Sequence, residues 1–373
     1  MIVEQLGVDR FLRDYWQKRP VLLRQALPGF VDPISPEELA GLACECEVES
    51  RLVFTKPRSW QLKTGPFRVN DFTSLPKRNW TLLVQAVDQW VPAVRELMRS
   101  VPFLPSWRID DIMISYATPN GGVGPHFDYY DVFLVQGLGK RLWKTGQRCT
   151  AQDALRTDSG LKLLQRFDTA HEYELAPGDV LYVPPGVAHW GVSVDDSMCY
   201  SIGFRAPSAS ETVLGHADEL ATGLPADLRY LDPKRRLPLR SGEITAADLA
   251  QAKQLLHRVL HDDAALARWF GRHMTEPRHP EQLQPAGLRP TARTRLRLHP
   301  ASRLAWRNLP RHLQVFVDGE TDLLPTSLAL LASLQALSRG EAVTAKTLTG
   351  NAATKSWCTS LLRRGSLIAD SHD

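Results

Sequence analysis

The chain has 373 residues, 43% of them hydrophobic and 23% charged, which allows two or three domains with at least one sizeable core and excludes a mainly disordered chain. A net charge of +4 is compatible with a nucleic-acid-rich environment but too weak to argue for one. No run approaches the ~20 apolar residues of a membrane span, the first twenty residues lack the apolar stretch of a signal peptide, and the five cysteines are scattered as in a reducing compartment, so a cytoplasmic protein is expected.

From residue 1 to about 100, helical signals mix with short strands. "FLRDYWQKRPVLL" is aromatic-rich and ends its helical character at Pro20. Cys44 and Cys46 have neither a second pair nor a neighbouring histidine to complete a zinc site, so they read as buried thiols. In "NWTLLVQAVDQWVPAVRELM" the spacing of Leu82, Leu83, Val87, Val91 and Val94 predicts a helix. From about 108 to 207 the texture changes. "DDIMISYATPNGG", "DVFLVQGLGKRLWKTG", "HEYELAPGDVLYVPPGVAHWG" and "MCYSIGFRAP" are short strands punctuated by Gly and Pro, which argues for a barrel or sandwich over alternating β–α units.

After Pro207 the pattern turns helical. "TAADLAQAKQLLHRVL" opens on Thr245 and Asp248 as a capping box and aligns Leu249, Ala252, Leu255, Leu256 and Val259 on one stripe. That stripe is either ordinary core or, with few flanking elements to cover it, the face of a homodimer. Pro277, Pro280, Pro285 and Pro290 mark an irregular connection. The runs "RLAWRNL" and "HLQVFVDGE" then precede helical segments around 327–338 and 354–364, an order that fits a small winged helix. Seven arginines and no acidic residue between 289 and 311 read as a solvated basic face, or as a surface for RNA.

In "GPHFDYYDVF", His126 and Asp128 stand two residues apart, which in a strand puts both on one face. Such a pair usually does no more than bond itself or a nearby turn. The downstream "APGDVLYVPPGVAHWG" adds His189 on a strand after two turns. Two imidazoles and one carboxylate make the facial ligand set of non-haem Fe(II) oxygenases, although the set alone does not exclude zinc, nickel or manganese. In "GLGKRLWKTG", alternation puts Arg141 on the face of Trp143, which favours the interior. An inward arginine needs an anion. Either the distal carboxylate of 2-oxoglutarate or a protein carboxylate such as Asp179 would serve.

The combination of "GPHFDYYDVFLVQGLGKRLWKTG", "APGDVLYVPPGVAHWG" and "YSIGFRAP" resembles the JmjC-type 2-oxoglutarate oxygenases. More closely it is similar to the bacterial ribosomal oxygenases, arginine hydroxylases acting on the sixteenth large-subunit ribosomal protein. "YWQKRPVLLRQA" resembles the opening segment of that family. The resemblance implies a mainly β fold with helical additions: a JmjC/cupin double-stranded β-helix with an amino-terminal helical wrap over 1–207, a helical dimerisation segment over 208–276, and a winged-helix-like domain over 277–373. It implies that His126, Asp128 and His189 hold Fe(II), that Arg141 and Ser115 hold the co-substrate 2-oxoglutarate, and that the partner is a ribosomal protein, with the ribosome or its RNA nearby. Arg141, in place of a lysine, follows the bacterial pattern. Asp110, Asp111, Tyr129, Tyr130 and Asp131 lie close in sequence to the metal strand, and Asp111, Tyr129, Tyr130 and Asp131 are the candidates for holding a cationic substrate. Two other functions share the scaffold: a demethylase or small-molecule oxygenase, and a non-catalytic metal-bearing cupin with a nucleic-acid-binding tail.

Overall fold

The computed structural model describes residues 1–57, 59–158, 160–233, 241–285 and 287–370. Eleven strands build the first two hundred residues: β1 (Val21–Leu23), β2 (Ser50–Lys56), β3 (Ser59–Thr64), β4 (Trp80–Val84), β5 (Ile109–Ala117), β6 (Val132–Gln136), β7 (Arg141–Arg148), β8 (His171–Leu175), β9 (Val180–Val183), β10 (Val187–Ser193) and β11 (Ser197–Phe204). Eight form one sheet in the order β1-β9-β6-β11-β5-β4-β2-β3, and β10-β7-β8 form a second. Every pairing is antiparallel. This is the double-stranded β-helix. One face of the large sheet carries the main core, in which Phe133, Tyr182, Tyr200 and Phe204 pack with Phe11 of the helix Val8–Asp14. The other face turns toward the smaller sheet.

The segment expected to be helical over 79–98 is a correction. Residues 80–84 form β4, all five buried between β2 and β5. The helical spacing there came from joining a strand buried on both faces to two one-turn helices, Val87–Trp90 and Pro92–Arg95. Val91 separates them in extended backbone, as a residue before proline prefers. Cys44 and Cys46 are not buried thiols either: Cys44 is half-buried and Cys46 exposed.

Beyond β11, the helix Ala246–Leu260 begins at Thr245 with both capping-box hydrogen bonds to Asp248, and no residue of it is buried. The helix Asp263–Thr275 starts on an Asp262 cap. The final module joins the meander Leu304–Asn308, His312–Val317 and Glu320–Pro325 to the helices Leu328–Ser338 and Ala352–Arg364. Its core includes Leu313, Leu334, Trp357 and Leu361. This module docks on the barrel: the Arg303 guanidinium donates to the carbonyls of Ile109 and Asp110 in β5, and Arg95 donates to the carbonyl of Pro300. Two arginines of the docking surface are thereby turned inward.

Candidate metal centre

His126 and Asp128 sit in extended chain just before β6, which starts at Val132. They are not on a regular strand, as their spacing suggested. Two backbone hydrogen bonds set them against β10, His126 N–H to the His189 carbonyl (3.1 Å) and His189 N–H to the His126 carbonyl (2.8 Å). Gly186 N–H adds a third to the Asp128 carbonyl (2.7 Å). Gly124 allows this approach. At φ +101° a side chain would be strained, and a Cβ would come within 2.9 Å of both Trp60 and Leu163.

Each imidazole is oriented by its own chain. Nδ1 of His126 is 2.9 Å from the Gly124 carbonyl and Nδ1 of His189 is 3.0 Å from the Val187 carbonyl. A proton on each Nδ1 leaves each Nε2 free as a lone-pair donor. His189 Nε2 lies 3.5 Å from Asp128 Oδ2, and one ligand atom from each of His126, Asp128 and His189 falls within 4.8 Å of the others. Burial, then the neighbouring His126, pushes the His189 pKa down to about 4, which keeps the ring neutral as a metal ligand requires.

Arg141 and Trp143 are both buried on the inner face of β7, as the alternation required. Arg141 donates from Nη1 to Ser115 Oγ (2.8 Å) and from Nη2 to Ser197 Oγ (3.0 Å). Among the described residues no carboxylate lies within ion-pair distance of it. Asp179 is taken by Arg24 (2.7 Å) and by the backbone N–H of Gln25. Burial accordingly disfavours the charged guanidinium. A buried cation with no counter-ion is expensive, so this pocket is built for an anion. The residues fit a bidentate carboxylate at one end and a divalent metal at the other.

The inner column of β5 runs Ser115, Met113, Asp111, opposite Cys199, Ser201 and Gly203 of β11. It leads from Arg141 out to the mouth. There, a Cβ on Gly203 would lie 3.6 Å from Asp111 Oδ1 and 3.9 Å from the Tyr130 ring. Tyr130 is 42% exposed but its hydroxyl turns inward to hydrogen-bond Asp128; loss of water around that hydroxyl, and then the charges of Asp128 and Asp111, hold it protonated. Tyr129 is exposed, its ring edge-on to Phe127. Asp131 is a correction. It is fully buried and committed to Tyr182 (2.6 Å), Gln17 (3.0 Å) and Arg108 (3.4 Å), so it cannot meet a substrate. Asp110 is likewise committed, to Arg205, Arg278 and Arg303. Ser197, the second hydroxyl on Arg141, was missed: the alternation in "SMCYSIGF" turns it inward only once β11 is paired with β5.

Barrel and ligand group together define a class, the JmjC-domain oxygenases, and the family model for the JmjC domain matches residues 96–212. A second model, the ROXA-like winged helix, matches residues 258–363. The chain is 41% identical over 281 residues to the ribosomal protein uL16 3-hydroxylase of Escherichia coli, covering 74% of this chain and 73% of that protein. It is 36% identical over 268 residues to a probable ribosomal oxygenase of Haemophilus influenzae, covering 70% and 66%. The solved structure of YcfD, a ribosomal oxygenase from Escherichia coli in complex with cobalt and 2-oxoglutarate, superposes with a TM-score of 0.81 at 33% identity over 97% of this chain and 98% of that one. The chain belongs to the bacterial ribosomal oxygenase family.

Proposed function

We propose that this protein is an Fe(II)- and 2-oxoglutarate-dependent oxygenase that hydroxylates an arginine side chain of a large-subunit ribosomal protein. The observation that carries this reading is the buried, carboxylate-free Arg141 on the same inner wall as the two imidazoles and Asp128. The relatives named uL16 3-hydroxylase and ribosomal oxygenase support the substrate class.

His126 and His189 would hold the metal through Nε2 and Asp128 through a carboxylate oxygen. Arg141 and Ser115 would hold the distal carboxylate of 2-oxoglutarate as a charge-assisted pair. When bound, iron and 2-oxoglutarate supply the oxidising power that converts a C–H bond to C–OH with O2, releasing succinate and CO2. The chain orients and excludes. The Nδ1 bonds fix both ring planes, Trp143 packs beside His189 in a buried cluster that includes Leu134, and Tyr130 braces Asp128. At the mouth, Asp111 offers negative charge to a guanidinium, and Tyr129 and Tyr130 offer ring faces.

A second copy of the chain is the partner for the helix Ala246–Leu260, whose Leu249 and Leu256 are 63% and 56% exposed. Among the described residues no helix is long and apolar enough to cross a membrane; the ribosomal substrate class of the relatives supports a cytoplasmic setting.

The test is a uL16 peptide with one arginine, incubated with Fe(II), 2-oxoglutarate and O2 and weighed for a single-oxygen gain. The same peptide with lysine should react far less, since lysine lacks the planar fork. His126→Ala, Asp128→Ala and His189→Ala should each lose iron and turnover. Equal reaction of both peptides would sink the arginine reading.

A further inference from the structure

Asp111 is an unusual acid in this fold. It faces into the barrel mouth from β5, and its two oxygens have different surroundings. Oδ2 accepts from Gln85 Nε2 (2.7 Å) and Ala86 N–H (3.1 Å), and lies 3.4 Å from Arg278 Nη1. Oδ1 has no hydrogen-bond donor among the described residues and points into the space that Gly203 leaves open. The same Arg278 guanidinium reaches Asp110 Oδ2 at 3.0 Å with its other nitrogen, so it bridges two adjacent carboxylates. Asp110 is saturated, with Arg205 and Arg303 on its remaining oxygen. That leaves Asp111 Oδ1 as the open acceptor of the cluster.

We infer that Arg278 is a positioning residue for the substrate arginine, acting through Asp111. It aims the carboxylate from behind and keeps it charged, and Oδ1 then meets the incoming guanidinium. This rests on the reading that the barrel mouth takes an arginine side chain. Arg278 belongs to the proline-rich connection after the helix Asp263–Thr275, a stretch that the sequence marks only as irregular. The inference makes that connection part of the entrance.

The charge balance supports it. Burial pushes the Asp111 carboxyl up, Arg278 is the foremost charge pulling it back, Asp110 opposes and Arg303 assists. Asp88, from the helix Val87–Trp90, and Tyr130, from the metal loop, also face the cluster. A protonated Asp111 would lose its attraction for a guanidinium and offer a donor where an acceptor is needed.

Arg278→Met tests the inference, with Arg278→Lys to restore the charge. Peptide binding is read by fluorescence anisotropy on iron- and 2-oxoglutarate-loaded enzyme without oxygen, and kcat and KM are read aerobically across pH. Expected for Arg278→Met is an arginine-peptide Kd and KM raised about tenfold or more, with iron content and 2-oxoglutarate affinity unchanged. The acid limb of kcat/KM should move to higher pH, and Arg278→Lys should bring much of it back. A Kd and acid limb in Arg278→Met identical to wild type would overturn the inference alone. So would a loss shared with 2-oxoglutarate affinity and Tm that Arg278→Lys does not relieve, since that is a merely structural role. Wild-type enzyme that neither binds nor oxidises the peptide would overturn the substrate reading beneath it, and this inference with it.

Discussion

Each residue of the centre has its other atoms committed, which is why its functional atom is available. The two Nδ1 atoms face carbonyls two residues upstream, Gly124 and Val187, and Arg141 is clamped by Ser115 and Ser197 without being neutralised. Arg141→Met should therefore weaken 2-oxoglutarate by about 2–5 kcal/mol, the usual cost of removing one partner of a buried charge pair, while iron content stays normal; titration of the co-substrate into iron-loaded variant reads this directly. His189 gives a pH signature. Its folded pKa of about 4 lies below the ordinary 6.5, so as pH falls the unfolded chain takes up the proton first. Stability of the metal-free protein is full above about 6.5 and is lost as pH falls through the window from 6.5 to about 4. Urea midpoints across that range should show the slope, and His189→Gln should flatten it. The His-x-Asp spacing, the later histidine and the inward arginine were all legible because local alternation and residue chemistry determine them. The fate of Asp131 was not, since its partners Gln17 and Tyr182 are 114 and 51 residues away.

At the scale of elements, β7 carries Arg141 and β10 carries His189, and the fit of these two strands depends on one glycine. Gly191 pairs with Trp143, and a Cβ there would stand 2.9 Å from the indole ring. Gly191→Ala should cost about 1–3 kcal/mol by overpacking and shift the ring away from His189, whose imidazole centroid is 5.9 Å from it. A lowered denaturant midpoint together with weaker metal retention is the expected pair of readings. The strands of this region were readable from their Gly and Pro punctuation, and the helix Ala246–Leu260 from its cap. The β4 segment was misread because a strand buried on both faces shows no alternation, leaving periodicity without a signal to follow.

For the whole molecule, the helix Ala246–Leu260 leaves an apolar stripe uncovered while the modules on either side are packed. Leu249→Asp combined with Leu256→Asp should convert the proposed dimer to a monomer in sedimentation at micromolar concentration. A wild type that already sediments as a monomer would refute the dimer. The winged-helix order was visible in the sequence, but its docking was not. Arg303 reads there as one of seven clustered cations, and only the fold turns it onto β5.

The reciprocal backbone bonds between His126 and His189 also bear on how the chain acquires its chemistry. They join positions 63 residues apart (189 − 126), and such closures carry an entropy cost that local turns and hairpins avoid. The imidazoles therefore come together only through a long-range closure, with β10 held along β7. Competence to capture iron then depends on that closure, and a chain that lacks it has the ligands without a reaction centre.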